Sequence, residues 1–73
     1  MNSEIYSKEH KKLIERIIQA RKEAGFNQME AAKRLSRSQS YISKIEVGQR
    51  KIDVIELKKI AKIYKRPMNY FIN

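Results

Sequence analysis

Apolar side chains recur along the chain at spacings of three and four residues, which is the period of an α-helix. The first such run extends from Ser7 to Ala24, and the apolar positions on one of its faces are Leu13, Ile17, Ala20 and Ala24. Gly25 follows, and glycine readily adopts the left-handed conformation that commonly ends a helix. The pattern therefore predicts a first helix that begins near Ser7 and ends before Gly25.

A second, short helix is predicted after Asn27. Asn27 is a good N-cap residue, and Glu30 lies three residues later, which is the spacing of a capping box. The helix must end before Ser36, because residues 36–38 are Ser-Arg-Ser.

The third predicted helix extends over Gln39–Val47, with Ser38 as its N-cap and Gly48 as its end. Ile42 and Ile45 lie three residues apart and are expected to face the core. The opposite face then shows four polar side chains to solvent, Gln39, Ser40, Ser43 and Lys44. Only three residues, 36–38, join the second and third helices. Helices joined by such a short turn cross steeply, so the third helix can protrude into a DNA major groove.

Two further helices complete the prediction. Asp53 and Glu56 have capping-box spacing at the start of a fourth helix, whose apolar residues are Leu57, Ile60, Ala61 and Tyr64. Pro67 suits the first turn of a fifth helix over residues 68–73. We therefore expect an all-α, compact five-helix bundle that forms one domain over residues 1–73, with the helix pair at about 28–47 and residues 1–6 as a loose tail.

The charge of the chain is concentrated around the predicted helix pair. The sequence has 17 Lys and Arg against 8 Asp and Glu, a net charge of +9. Residues 33–51 contain six basic residues and one acidic residue, a net charge of +5. Such an excess favours a polyanionic partner, above all nucleic acid, and places its contacts from residue 33 onward.

Composition argues against several other classes of protein. There is no cysteine, and His10 is the only histidine, so the residues for a zinc site or a catalytic dyad are missing. No apolar run approaches the length of a membrane span or of a signal peptide. We expect a cytoplasmic protein that is not an enzyme and has no cofactor, no metal, no membrane association, and no small-molecule ligand or ligand-sensing module.

The stretch GFNQMEAAKRLSRSQSYISKIEVGQRK resembles the helix-turn-helix of phage repressor and Cro-type regulators, the XRE-like family. The resemblance runs from about Leu13 to Phe71. Its marks are Gln28 and Gln39 opening the second and third helices, Ala32 at the helix crossing, Ile42 and Ile45 inside, and Glu46-x-Gly48. It implies a phage-repressor-like bundle whose third helix binds double-stranded DNA.

The resemblance also implies roles for individual residues. Gln39 and Ser40 would read bases, Lys44 would read one turn further on, and Ser43 shares their face. Gln28 would bind a phosphate and brace Gln39. The other candidate phosphate contacts are Asn27, Arg37, Tyr41, Arg50 and Lys51. An ion pair between Arg21 and Glu46 is implied as a structural contact.

Two positions depart from the family pattern. Ser36 stands where the family usually has glycine, and the usual apolar residue after it is Arg37. A non-glycine residue with positive φ costs on the order of 1 kcal/mol. Ala31 replaces the usual leucine before the crossing, so Phe26 and Leu35 are expected to compensate in packing.

Several interpretations stay open. The Tyr41 hydroxyl either touches the sugar-phosphate backbone or lies half-buried beside the second helix. Arg37 either reaches phosphate or stays in solvent. The C-terminal Tyr70, Phe71 and Ile72 either close the core or form a homodimer seam, with Phe71 mostly in the core and the other two flanking the seam.

The function predicted from the sequence is a sequence-specific, repressor-like transcriptional regulator. As a homodimer it would bind an inverted-repeat operator. A small phage repressor, a restriction–modification controller and a DNA-binding antitoxin all fit the sequence. The alternatives are a protein-interaction module on the same fold, such as a toxin-binding antitoxin, a cationic membrane-surface peptide, and an RNA-binding protein.

Overall fold

The computed structural model describes residues 7–73, and this range contains five helices and no strand. The helices are α1 Lys8–Glu23, α2 Gln28–Arg34, α3 Gln39–Glu46, α4 Val54–Tyr64 and α5 Met68–Ile72. The predicted all-α class and its five helices are confirmed. The tail expected for residues 1–6 lies outside the described residues.

Side-chain caps fix where α2 and α4 begin. The side chains of Asn27 and Asp53 each accept a hydrogen bond of 2.8 Å from the backbone N–H three residues later. The carboxylates of Glu30 and Glu56 accept from the N-cap N–H groups in return, at 2.9 and 3.1 Å. Both predicted capping boxes are therefore present, and each satisfies backbone donors that a helix start leaves unpaired.

Left-handed residues reverse the chain after the first four helices. Gly25 and Gly48 have φ of +84° after α1 and α3. Ser36 has φ of +57° after α2, so a serine does occupy the left-handed position that the sequence pointed to, at a cost of order 1 kcal/mol. Lys65, with φ of +59°, ends α4 in the same conformation. Nothing in the sequence analysis indicated this last position.

The core lies between α1 and the other helices. Its largest fully buried side chains are Ile17, Ile42, Ile45, Ile60 and Tyr64. α1 contacts α3, α4 and α5, while α2 packs against α3. α1 is therefore the central element against which α3 is fixed.

Small residues allow the close approach of α2 to the core. Ala31 and Ala32 are buried, with exposed fractions of 0% and 3%. Phe26 and Leu35 pack against the core beside them, as expected from the missing leucine at position 31. The ring of Phe26 lies 6.3 Å from that of Tyr64, measured between centroids.

Three predicted boundaries were wrong, and the simplest is the end of α5, which lies at Ile72 with Asn73 as its C-cap. α3 ends at Glu46, and Val47 is its C-cap residue, because the chain already turns there toward the left-handed Gly48. Pro67 is the N-cap residue of α5 rather than a residue of its first turn, since its ψ of 158° is extended.

Candidate nucleic-acid interface

The outer face of α3 carries the four polar side chains singled out in the sequence. Gln39, Ser40 and Lys44 are exposed, and Ser43 is half-buried. The opposite face is anchored by the isoleucines at 42 and 45, with exposed fractions of 2% and 1%. Because the inner face is locked into the core, the polar face is held outward in one orientation.

A buried ion pair fixes α3 to α1. The Arg21 Nε–H donates to Glu46 Oε2 at 2.7 Å, and its Nη2 donates to Oε1 at 3.0 Å. The third guanidinium nitrogen donates to the Phe26 carbonyl at 2.9 Å. Such a two-pronged contact defines orientation as well as distance. It therefore sets how α3 projects from the bundle.

Gln28 belongs to the same network. Its side-chain nitrogen donates to Glu46 Oε1 at 3.0 Å. The resemblance implied that Gln28 braces Gln39 on DNA, which stays a prediction; in this structure, without DNA, the Gln28 amide N–H donates to Glu46. Glu46 thus joins α1, α2 and α3.

Two arginines flank α3 and meet at one aromatic ring. Arg37 precedes α3 and Arg50 follows it, and their guanidinium carbons lie 3.9 and 4.9 Å from the centre of the Tyr41 ring. Both arginines also approach the carboxylate of Glu56: the Arg50 nitrogen lies 3.0 Å from it and the Arg37 nitrogen 4.0 Å. Arg37, Tyr41, Arg50 and Glu56 form what we call the flanking cluster.

Tyr41 occupies the centre of this cluster and is buried, with an exposed fraction of 7%. Its hydroxyl donates to Glu56 Oε2 at 2.8 Å. Burial raises the pKa of this hydroxyl, and the hydrogen bond to Glu56 adds to the effect. Tyr41 is therefore buried more deeply than the half-buried position considered from the sequence, with its hydroxyl on Glu56 of α4 and its ring supporting the two guanidiniums.

Glu56 has surroundings that strongly favour its charged form. Burial raises the pKa of Glu56, but the Asp53 N–H, the Arg50 guanidinium and the Tyr41 hydroxyl outweigh that effect and lower the pKa to about 2. The carboxylate is consequently ionised at neutral pH. The sequence identified Glu56 only as a helix cap, since the partners of its second oxygen come from another part of the chain.

The remaining candidate phosphate contacts lie around the same surface. Asn27 is exposed at the start of α2, where its side chain caps the helix. Lys51 is exposed in the segment between α3 and α4.

The three C-terminal candidates separate into different environments. Phe71 is buried, whereas Ile72 is 63% exposed. The ring of Tyr70 is half-buried and lies within 5.7 and 5.4 Å of the guanidinium carbons of Arg16 and Arg66. Tyr70 is therefore engaged within its own chain, by contacts that the sequence did not indicate.

A groove of about 370 Å³ lies between the first turns of α1 and the end of α5. Its lining combines apolar and charged side chains, namely Glu9, Lys12, Leu13, Phe71, Ile72 and Asn73. The exposed Ile72 thus borders a partly apolar concave surface.

The family model described as helix-turn-helix, of the XRE or Cro–C1 type, matches residues 17–71, which is more than half of the chain. The chain belongs to this family. No curated protein and no solved structure matched it. The family resemblance seen in the sequence is confirmed, and family membership implies that this helix-turn-helix protein binds DNA.

The matched region of this helix-turn-helix protein contains both α3 and the flanking cluster. The family is typically non-enzymatic. Within residues 7–73, no helix has the length and apolar character needed to cross a membrane. In the same range, no three side chains of His, Cys, Asp or Glu are grouped so that they could hold a metal ion.

Proposed function

We propose that this protein is a sequence-specific, repressor-like transcriptional regulator whose α3 enters the DNA major groove. The observation that supports this most strongly is the two-sided character of α3. Its isoleucines are locked into the core, while Gln39, Ser40 and Lys44 face solvent in the most basic segment of the chain.

The exposed side chains of α3 suit base recognition. A glutamine pairs bidentately with the N6 and N7 atoms of adenine, and a lysine donates to the O6 and N7 atoms of guanine. The hydroxyls of Ser40 and Ser43 can donate or accept, so they fit several base edges. In this proposal Gln39 and Lys44 provide most of the discrimination, and the serines adjust it.

Phosphate contacts are proposed on both sides of α3. Arg37 and Arg50 flank the helix, and Lys51 follows Arg50. On the α2 side, the side chains of Gln28 and Asn27 contact the phosphates of the DNA backbone. Tyr41 contributes by supporting the two arginines, not by binding phosphate itself. These contacts supply affinity and position, while α3 supplies specificity.

A homodimer is proposed because one α3 reads only a few base pairs, and two-fold pairing adds affinity for an inverted repeat. The exposed Ile72 and the groove beside it support a seam at α1 and α5. Tyr70 would lie at the edge of that seam and Phe71 behind it. In sedimentation experiments, Ile72→Asp should shift the protein toward monomer, whereas Val54→Asp, a change at an equally exposed apolar residue of α4, should not. Equal effects of the two changes would contradict this seam.

The cellular role proposed is that of a cytoplasmic regulator acting without a cofactor, as one domain spanning the chain. Fluorescence anisotropy with a labelled random-sequence duplex tests the DNA-binding part of the proposal. The logarithm of affinity should fall linearly with the logarithm of salt concentration, with a slope of about −0.9 for each phosphate neutralised. Absence of binding even at low salt would contradict the proposal and favour a protein-interaction module.

A further inference from the structure

Glu56 stands out because it receives more donors than a helix cap requires. One of its oxygens, Oε1, completes the capping box with the Asp53 N–H. The other, Oε2, accepts from Tyr41 at 2.8 Å and from Arg50 at 3.0 Å. A glutamate at this position would cap α4 through one oxygen alone, so the second oxygen has a separate use.

That second oxygen is surrounded by cations from both sides of α3. The residues before and after the helix, Arg37 and Arg50, lie 13 positions apart in the chain, yet both guanidiniums meet at Tyr41 and Glu56. Their side chains are still 45% and 41% exposed. The two arginines are therefore held from beneath by the ring and the carboxylate while their outer surfaces face solvent.

We propose that Glu56 is a positioning residue for DNA binding, which holds Arg50 and Arg37 in the orientation that contacts phosphates on either side of α3. This inference rests on the proposed DNA-binding function. It assigns to α4 a part in DNA affinity even though Glu56 carries the same charge as DNA.

The carboxylate leaves the arginines able to bind phosphate. A guanidinium has five N–H donors, and the hydrogen bond to Glu56 uses only one of those of Arg50. Arginine is a flexible side chain, so ordering it in advance lowers the entropy lost on binding. The opposing repulsion between Glu56 and phosphate acts across a surface where salt screens charges over about 8–10 Å.

A purely electrostatic role of Glu56 and a role in positioning the two arginines predict opposite changes in DNA affinity for Glu56→Gln. If only charge matters, removing one negative charge tightens DNA binding. If positioning dominates, the variant binds about three- to tenfold more weakly, the range expected when one or two side chains must be ordered on binding. Its salt slope should also become shallower by about 1 to 2, because fewer phosphates are neutralised.

Glu30→Gln is the matched control. Glu30 occupies the same capping-box position on α2 and is exposed, and within residues 7–73 the donor to its carboxylate is the Asn27 N–H. The control changes the net charge equally and should leave affinity unchanged or slightly higher. Equal affinities for the Glu56→Gln and Glu30→Gln variants would overturn the proposal.

Glu56→Asp provides a second variant that keeps the charge but shortens the side chain. Positioning predicts weaker binding for this variant as well, whereas a purely electrostatic role predicts no change. Thermal unfolding followed by circular dichroism checks that each variant is folded. Wild-type affinity in a folded Glu56→Asp variant would contradict the proposal.

An NMR measurement on the free protein separates this inference from the proposed function. The Arg50 Nε is buried and has no hydrogen-bond partner among the described residues, so the burial alone should make its proton exchange slowly with water. The exchange should become several-fold faster in the Glu56→Gln and Glu56→Asp variants. Unchanged exchange would overturn the positioning role, while a wild-type protein that orders Arg50 but binds no DNA would instead contradict the proposed function.

Discussion

Arg21 of α1 and Glu46 at the end of α3 face each other through two nitrogen–oxygen contacts of 2.7 and 3.0 Å. Both side chains are nearly removed from solvent, with exposed fractions of 10% and 5%. The pair joins the central helix of the bundle to the helix proposed to enter DNA. It is therefore the contact that relates the orientation of α3 to the rest of the fold.

Removing one member of this pair should destabilise the protein strongly. Arg21→Ala or Glu46→Ala leaves a buried charge without its partner, at a cost of about 3–5 kcal/mol. Small domains have a total free energy of unfolding of only about 5–15 kcal/mol. Urea denaturation followed by circular dichroism measures the loss. The double change Arg21→Met with Glu46→Leu should cost less than either single change, and a larger loss in the double variant would contradict this account.

Loss of the two longest side chains on the outer polar face of α3 should remove operator discrimination without unfolding the protein. Gln39→Ala with Lys44→Ala deletes exposed groups, so the melting temperature should change little. Each lost bidentate base contact is worth about 1–3 kcal/mol of discrimination. Competition between operator and scrambled duplexes measures the effect. The control is Gln19→Ala with Lys62→Ala, which removes the same residue types elsewhere and should leave discrimination intact. A similar loss of discrimination in the control would contradict the assignment of Gln39 and Lys44 as base-reading residues.

Arg50 should contribute affinity without specificity. Arg50→Ala is expected to weaken binding to all duplexes alike and to flatten the salt slope by about one. Lys62→Ala removes a charge from the exposed face of α4 and should leave the slope close to that of the wild type. An effect of Arg50→Ala confined to one operator position would show that Arg50 contacts a base instead.

The low pKa of Glu56 predicts how stability depends on acid. A carboxyl group whose pKa falls from 4.5 to about 2 on folding stabilises the protein above pH 4.5. That contribution is lost as the pH falls from 4.5 through 2. Solvent screening at this partly exposed site limits it to about 1 kcal/mol. Denaturation of the wild type and Glu56→Gln at several pH values should show their difference shrinking over this range, and a constant difference would contradict the assignment.

Local features of the fold were predictable from the sequence because their causes lie within a few residues. Asn27 with Glu30 and Asp53 with Glu56 are separated by three positions, so the two capping boxes could be identified from spacing. The inward face of α3 likewise followed from the spacing of its isoleucines. The left-handed conformation of Ser36 followed from the family pattern, which has glycine there.

Contacts between distant segments were not predictable in the same way. Tyr41 and Glu56 are 15 positions apart, and their hydrogen bond depends on how the segment between α3 and α4 folds back. The carbonyl of Tyr70 accepts from Arg16, 54 positions away, across α1 and α5. Both contacts arise from tertiary packing, for which no local spacing rule exists. The exposed face of α3 was therefore predictable from the sequence, but the residues that support its flanks were not.

Selection of bound duplexes from a random DNA pool, with purified protein at fixed salt, tests the central claim most directly. The proposal predicts that an inverted repeat is recovered, with half-sites separated by roughly 10 bp or a multiple of a helical turn, centre to centre. Such a repeat would reflect specific recognition by α3 and use of two protomers together. A pool that stays random while the protein still binds would contradict sequence-specific regulation and leave only charge-driven affinity for DNA.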